Sequence, residues 1–136
     1  MLPTWTILVV EDEEPLRKLV TTILTRAGFT IFETDNVKTA LDIARRDDVE
    51  LDLVVTDVVM PSGSGLVLVR QFFVEWPDVK CIVMSGHDEQ MLLAATEPAL
   101  DIRFLQKPFT PAQLLESVRG VLSATRRASE QGSLGN

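Results

Sequence analysis

The chain has 136 residues, 46% of them hydrophobic and 24% charged, the balance of one globular domain able to bury a core without a metal or disulfide staple. Its net charge of −7 argues against direct nucleic-acid binding, which is driven by clustered Lys and Arg. No apolar stretch reaches the length of a membrane span, and the N-terminus lacks the pattern of a signal peptide, so the expected location is cytoplasmic, away from any membrane.

Short β-rich apolar runs alternate with segments of helical period. Residues 5–10 form the first strand and end in the acidic cluster Glu11-Asp12-Glu13-Glu14. Leu16, Leu19, Val20, Ile23, Leu24 and Ala27 then repeat at helical spacing, and Gly28 closes that helix. A second strand covers 29–33, and a second helix follows Asp35-Asn36, either of which could cap it. The third strand, 51–56, stops at Asp57; a loop with Pro61, Gly63 and Gly65 leads to a helix from about 64 to 75, halted by Trp76-Pro77. The fourth strand, 79–84, contains Cys81, the single cysteine, which reads as a small buried hydrophobe and fits a reducing compartment.

A helix of poor period is predicted over 88–97, ending at Glu97-Pro98, and a short fifth strand over 102–105. The last helix opens with Thr110-Pro111-Ala112-Gln113, where Pro suits the first helical position and the Thr/Gln spacing matches a capping box. The domain is expected to span 5–124, with 125–136 a flexible tail lacking apolar period.

Five strands alternating with five helices imply a parallel sheet covered on both faces, hence a doubly wound α/β fold. The functional site of such a sheet lies at the carboxyl ends of its strands, where the winding reverses. Glu11-Asp12, Asp57, Ser85 and Lys107 all stand at strand ends. In the strand order 2-1-3-4-5 the acids of the first and third strands converge. Clustered carboxylates repel unless a cation joins them, and Mg²⁺ suits few carboxylates plus waters. Carboxylates, a metal, an ammonium group and a hydroxyl together suit phosphoryl transfer, with one carboxylate as nucleophile. Asp57 is the best placed nucleophile, because Glu11 and Asp12 are adjacent and better arranged to share a metal.

The segments 7–13 (Ile-Leu-Val-Val-Glu-Asp-Glu), 54–61 (Val-Val-Thr-Asp-Val-Val-Met-Pro), 83–86 (Val-Met-Ser-Gly) and 104–109 (Phe-Leu-Gln-Lys-Pro-Phe) resemble, in order and spacing, the receiver domains of two-component response regulators. That resemblance implies a flavodoxin-like receiver fold that accepts a phosphoryl group from the phosphohistidine of a histidine kinase or phosphotransfer domain. It makes Asp57 the phosphoacceptor. Asp12, Asp57 and the backbone carbonyl of Val59 would bind Mg²⁺, and Glu11 would hold a metal-bound water. Ser85 would be the switch hydroxyl, Phe104 the switch aromatic, and Lys107 the cation that pairs with the phosphoryl group across a cis Lys107-Pro108 bond.

Family members are signalling domains rather than true enzymes, though they assist their own phosphorylation and dephosphorylation. Their phosphorylation biases a surface of helix four, strand five and helix five (α4-β5-α5 in the family's terms) toward a partner or a second receiver as a homodimer. The run 104–109 resembles receivers at the C-terminus of hybrid histidine kinases.

This sequence departs from the family after Asp57, where Gly63 and Ser64 stand in place of the usual Met and Asp. By the resemblance, Val59 and His87, two residues past Asp57 and Ser85, would flank the site; an apolar Val59 cannot orient an attacking water, so a long-lived phosphorylated form is expected. A nucleotide- or flavin-binding domain would need a Gly-rich phosphate loop where this chain has Glu-Asp-Glu-Glu-Pro. A phosphatase with an aspartyl nucleophile would need an acid at position 59. A phosphorylation-independent docking module is the remaining alternative, and the complete set of acids, Ser85 and Lys107 argues against it.

Overall fold

The structure, a computed structural model, describes residues 4–60, 63–86 and 102–134. In chain order the elements are β1 (Thr6–Val10), α1 (Glu14–Arg26), β2 (Thr30–Thr34), α2 (Val37–Ala44), β3 (Leu53–Asp57), α3 (Gly65–Glu75), β4 (Lys80–Ser85), β5 (Arg103–Gln106) and a C-terminal helix (Pro111–Leu134). The five strands pair in parallel in the order β2-β1-β3-β4-β5, as the sequence predicts. A two-residue antiparallel bridge joins Val59–Met60 to Gly63–Ser64. Four of the five predicted helices are described; the one predicted over 88–97, together with His87, lies outside the described residues.

The central strands β1, β3 and β4 are almost continuously apolar and buried because both sheet faces are covered. Ile7 and Val9 of β1, Val55 of β3, and Ile82 and Met84 of β4 pack with Val20 and Leu24 of α1 and Leu114 and Val118 of the C-terminal helix. The alternate residues Leu8, Val10, Val54, Cys81 and Val83 pack instead with Ala40 of α2 and Leu68 and Phe72 of α3. Cys81 is therefore the small core residue that the sequence implies. Each fully buried Leu, Ile or Phe contributes on the order of 2 kcal/mol, so the two half-cores anchor the central strands firmly.

Local signals set the helix ends. Gly28 takes a φ of 101°, the left-handed conformation that terminates α1, and its amide donates to the Thr25 carbonyl. Asn36, rather than Asp35, caps α2: its Oδ1 accepts from the Thr39 amide at 2.7 Å. The capping box is formed, with the Thr110 amide donating to Gln113 Oε1 at 2.8 Å and the Gln113 amide to Thr110 Oγ1 at 3.1 Å.

Several boundaries differ from the sequence reading by a residue or two, and three bear on the site or the C-terminus. β3 and β4 each run one residue further, so that Asp57 and Ser85 are the last residues of their strands instead of the first residues of loops. The apolar pattern ends before them, but the backbone ladder does not. The C-terminal helix continues to Leu134, through most of the segment for which composition predicts a flexible tail. Between Gly120 and Gly132 the chain holds no helix breaker, and Ala, Arg, Glu and Gln favour propagation of a helix already nucleated at its cap.

Candidate functional site

Ladder register brings the predicted residues together. Val10 is level with Thr56, so the next residues, Glu11 and Asp57, emerge side by side from β1 and β3. Asp57 is level with Met84, and Ser85 with Gln106; the Lys107 amide then donates to the Ser85 carbonyl at 2.9 Å. Three strand ends and the turn after β5 thus converge on one spot.

Asp57 is held from its own backbone. One carboxylate oxygen, Oδ1, accepts from the Val58 amide at 2.7 Å, and the other, Oδ2, faces Lys107 Nζ at 3.1 Å. Lys107 also lies 3.6 Å from Glu11 Oε1. The Thr56 hydroxyl donates to the Asp57 carbonyl at 3.0 Å. That carbonyl rests directly on Gly65 at the start of α3, where a Cβ would overlap it. The Gly65 amide donates to the Val58 carbonyl at 2.7 Å, tying the start of α3 to the residue after Asp57.

Glu11 is fully buried, and its Oε1 has no hydrogen-bond partner among the described residues. Its carboxyl is pushed up to about 7, first by burial and then by the charge of Asp57, with Lys107 opposing. Burial pushes the Lys107 ammonium down, but its bond to Asp57 and the charges of Asp57, Glu11 and Glu13 outweigh this and hold it above its ordinary value. Lys107 therefore stays cationic, while Glu11 is a carboxylate short of positive charge.

Ligand oxygens of Glu11, Asp12 and Asp57 lie within 4.8 Å of one another. An all-oxygen set of acids, one carrying a buried unpartnered oxygen, fits a hard divalent cation such as Mg²⁺. Glu11 Oε1, without a hydrogen bond among the described residues and 3.6 Å from Lys107 Nζ, keeps lone pairs free for such a cation.

Ser85 is fully buried at the end of β4, and its hydroxyl has no partner among the described residues. A buried hydroxyl left unpaired is costly. It retains hydrogen-bonding capacity for an incoming group. Phe104 of β5 is half-buried, level with Val83, and packs against the half-core beneath α2 and α3. Val59 follows two residues after Asp57 in the short bridge. The Lys107–Pro108 bond is cis, as the resemblance implies.

Two supports escape a reading of the sequence alone. Gly65 reads there as one of several loop glycines, although it is where α3 meets the backbone of Asp57. Arg17 carries no mark in the sequence pattern, yet its Nη1 donates to the Glu11 carbonyl at 3.0 Å. A basic residue three positions beyond the acidic cluster is the available signal.

Comparison with known proteins agrees with this geometry. The profile of the response regulator receiver domain matches residues 7–119, and the chain belongs to that family of two-component phosphoacceptor signalling domains. Receiver domains of this family interact with histidine kinases or phosphotransfer proteins. The chain is 36% identical over 117 residues to "Sensor kinase CckA" of Brucella abortus, covering 86% of this chain but only 12% of that protein. It is 29% identical over 118 residues to "Response regulator receiver protein CpdR" of the same species, covering 87% of this chain and 97% of that one. A solved response regulator receiver protein from Sinorhizobium medicae superposes with a TM-score of 0.79 at 29% identity, covering 92% of this chain and 99% of that one. No helix among the described residues is long and apolar enough to cross a membrane.

Proposed function

We propose that this domain accepts a phosphoryl group on Asp57 from the phosphohistidine of a histidine kinase or phosphotransfer domain, in a Mg²⁺-dependent reaction within a cytoplasmic phosphorelay. The observation that carries the reading is the meeting of Asp57, Lys107 and Glu11 at the ends of adjacent strands. Residues 5–124 form the receiver unit in this reading. Its kinship to a sensor kinase over 86% of the chain supports a hybrid-kinase context.

A carboxylate oxygen of Asp57 attacks phosphorus as the bond to the donor imidazole nitrogen breaks, leaving an acyl phosphate on the protein and a neutral imidazole once that nitrogen takes a proton from solvent. The Val58 amide and the Lys107 ammonium fix the plane of the carboxylate before attack. Lys107 then neutralises charge on the transferred group, and the Ser85 hydroxyl, which has no partner among the described residues, donates to one of its oxygens. Asp12, Asp57 and the Val59 carbonyl would hold Mg²⁺ directly, with Glu11 on a metal-bound water; the ion supplies neutralisation of the equatorial oxygens. Withdrawal of Ser85 toward the phosphoryl group opens room into which Phe104 turns. Having no hydroxyl, Phe104 signals by shape alone, biasing the surface of β5, the C-terminal helix and the preceding segment toward a partner or second receiver.

Incubation with Mg²⁺ and acetyl phosphate, followed by intact mass, tests the assignment. One added phosphate is expected on the wild type and none on Asp57→Asn. Label persisting on that variant would overturn it.

A further inference from the structure

We infer that Arg17 is a positioning residue for the divalent cation, setting metal affinity by holding the Glu11-Asp12 segment from behind; this rests on the metal-dependent reading above. Arg17 is on α1, and among the described residues it bonds to the backbone of Glu11 and to Glu33, not to the three clustered carboxylate groups. Its Nη1 donates to the Glu11 carbonyl at 3.0 Å, and its Nε donates to Glu33 Oε1 at 3.3 Å on β2. The Glu11 amide, at the other side of the same residue, donates to the Thr34 carbonyl at 3.1 Å. Glu11 is therefore pinned at both its N–H and its C=O to the end of β2, one bond made directly and the other through Arg17.

The pinning matters because β1 ends at Val10. Beyond it no regular ladder fixes Glu11 and Asp12, which carry two of the three clustered carboxylates. A guanidinium presents several donors in a rigid plane and can bridge two acceptors, which a single ammonium does less well. The Arg17 side chain is 16% exposed and its bond to the Glu11 carbonyl is partly buried, whereas its bond to Glu33 lies at the surface. Glu33 balances its charge, so the guanidinium orients the acidic segment with little added repulsion toward an incoming cation. Groups that orient metal ligands from outside typically change metal affinity 10- to 100-fold.

The test is calorimetric titration of Mg²⁺ into the full chain for wild type, Arg17→Ala, Arg17→Lys and, as a control on the same helix, Lys18→Ala, whose ion pair with Glu14 is exposed. Arg17→Ala is expected to weaken Mg²⁺ binding about tenfold and Arg17→Lys by an intermediate factor, with Lys18→Ala unchanged. In acetyl-phosphate labelling, Arg17→Ala should raise the half-saturating Mg²⁺ concentration by the same factor while the rate at saturating Mg²⁺ stays within about twofold of wild type. A general structural defect would lower the saturating rate as well, and that result overturns the proposal. Mg²⁺ affinity equal to wild type in a folded Arg17→Ala also overturns it; if that variant fails to fold, wild-type affinity in Arg17→Lys does so. A wild type that shows no saturable Mg²⁺ binding removes the metal-dependent reading itself. Wild-type binding that is indifferent to both Arg17 substitutions removes this inference alone.

Discussion

Lys107 Nζ lies 3.1 Å from Asp57 Oδ2, so the carboxylate proposed to be phosphorylated is already paired with a cation. The same ammonium lies 3.6 Å from Glu11 Oε1, and it offsets the mutual repulsion of two acids that the sheet register forces together. Lys107→Ala should therefore destabilise the metal-free domain by on the order of 1–3 kcal/mol, reduced from a fully buried pair because Lys107 is partly exposed. Chemical denaturation in chelator checks this, and added Mg²⁺ should recover part of the loss. Unchanged stability in chelator would show that the pair contributes nothing.

Glu11 makes the metal-free domain sensitive to pH near neutrality. Its folded-state value of about 7 lies above its ordinary 4.5, so the folded protein binds the proton more tightly than the unfolded chain. This contribution to stability is fully present below the unfolded value and is lost as pH rises through about 7. In chelator, the wild type should lose stability relative to Glu11→Gln between pH 5 and pH 8. Saturating Mg²⁺ should remove the trend, since metal binding favours the ionised carboxylate. Thermal unfolding across that range, with and without Mg²⁺, gives the comparison; parallel curves in chelator would contradict it.

Gly65 should not tolerate even a methyl group. A Cβ there would overlap the Asp57 carbonyl oxygen and come within 3.1 Å of Thr56 Oγ1. Both belong to a buried strand end that cannot retreat into solvent. Gly65→Ala is expected to cost about 1–3 kcal/mol of stability and to slow phosphorylation by acetyl phosphate, because relief of the clash displaces Asp57. Denaturant titration and intact-mass kinetics measure the two effects. Normal kinetics in a folded variant would show that α3 does not position the acceptor.

An apolar residue at position 59 offers no group to orient water for attack on the acyl phosphate. The phosphorylated domain should persist for minutes or longer in neutral Mg²⁺ buffer, and Val59→Asn should shorten that lifetime. Loss of the added phosphate can be followed by mass after removal of the donor. Decay of the wild type within seconds would sink the idea.

Glu11-Asp12, Asp57, Ser85 and Lys107 stand out in the sequence as a candidate site, because each interrupts an apolar strand pattern at its carboxyl end. Alternating elements are enough to imply a doubly wound sheet, and in such a sheet those ends meet. Caps were legible too, since Gly28, Asn36 and the Thr110/Gln113 pair act through bonds within a few residues. At the C-terminus composition carries no helical period, while the described helix runs to Leu134.

Only the tertiary structure decided what supports the site, because those supports act between residues distant in sequence. Arg17 reaches Glu33, sixteen positions away, Lys107 reaches Asp57 across the sheet, and Gly65 rests on the Asp57 carbonyl. Periodicity records which face of an element is buried. It does not record which backbone atom a particular glycine or guanidinium will meet, and that depends on how helices settle onto the sheet. The residue types of the candidate site are thus written locally, while their alignment comes from packing.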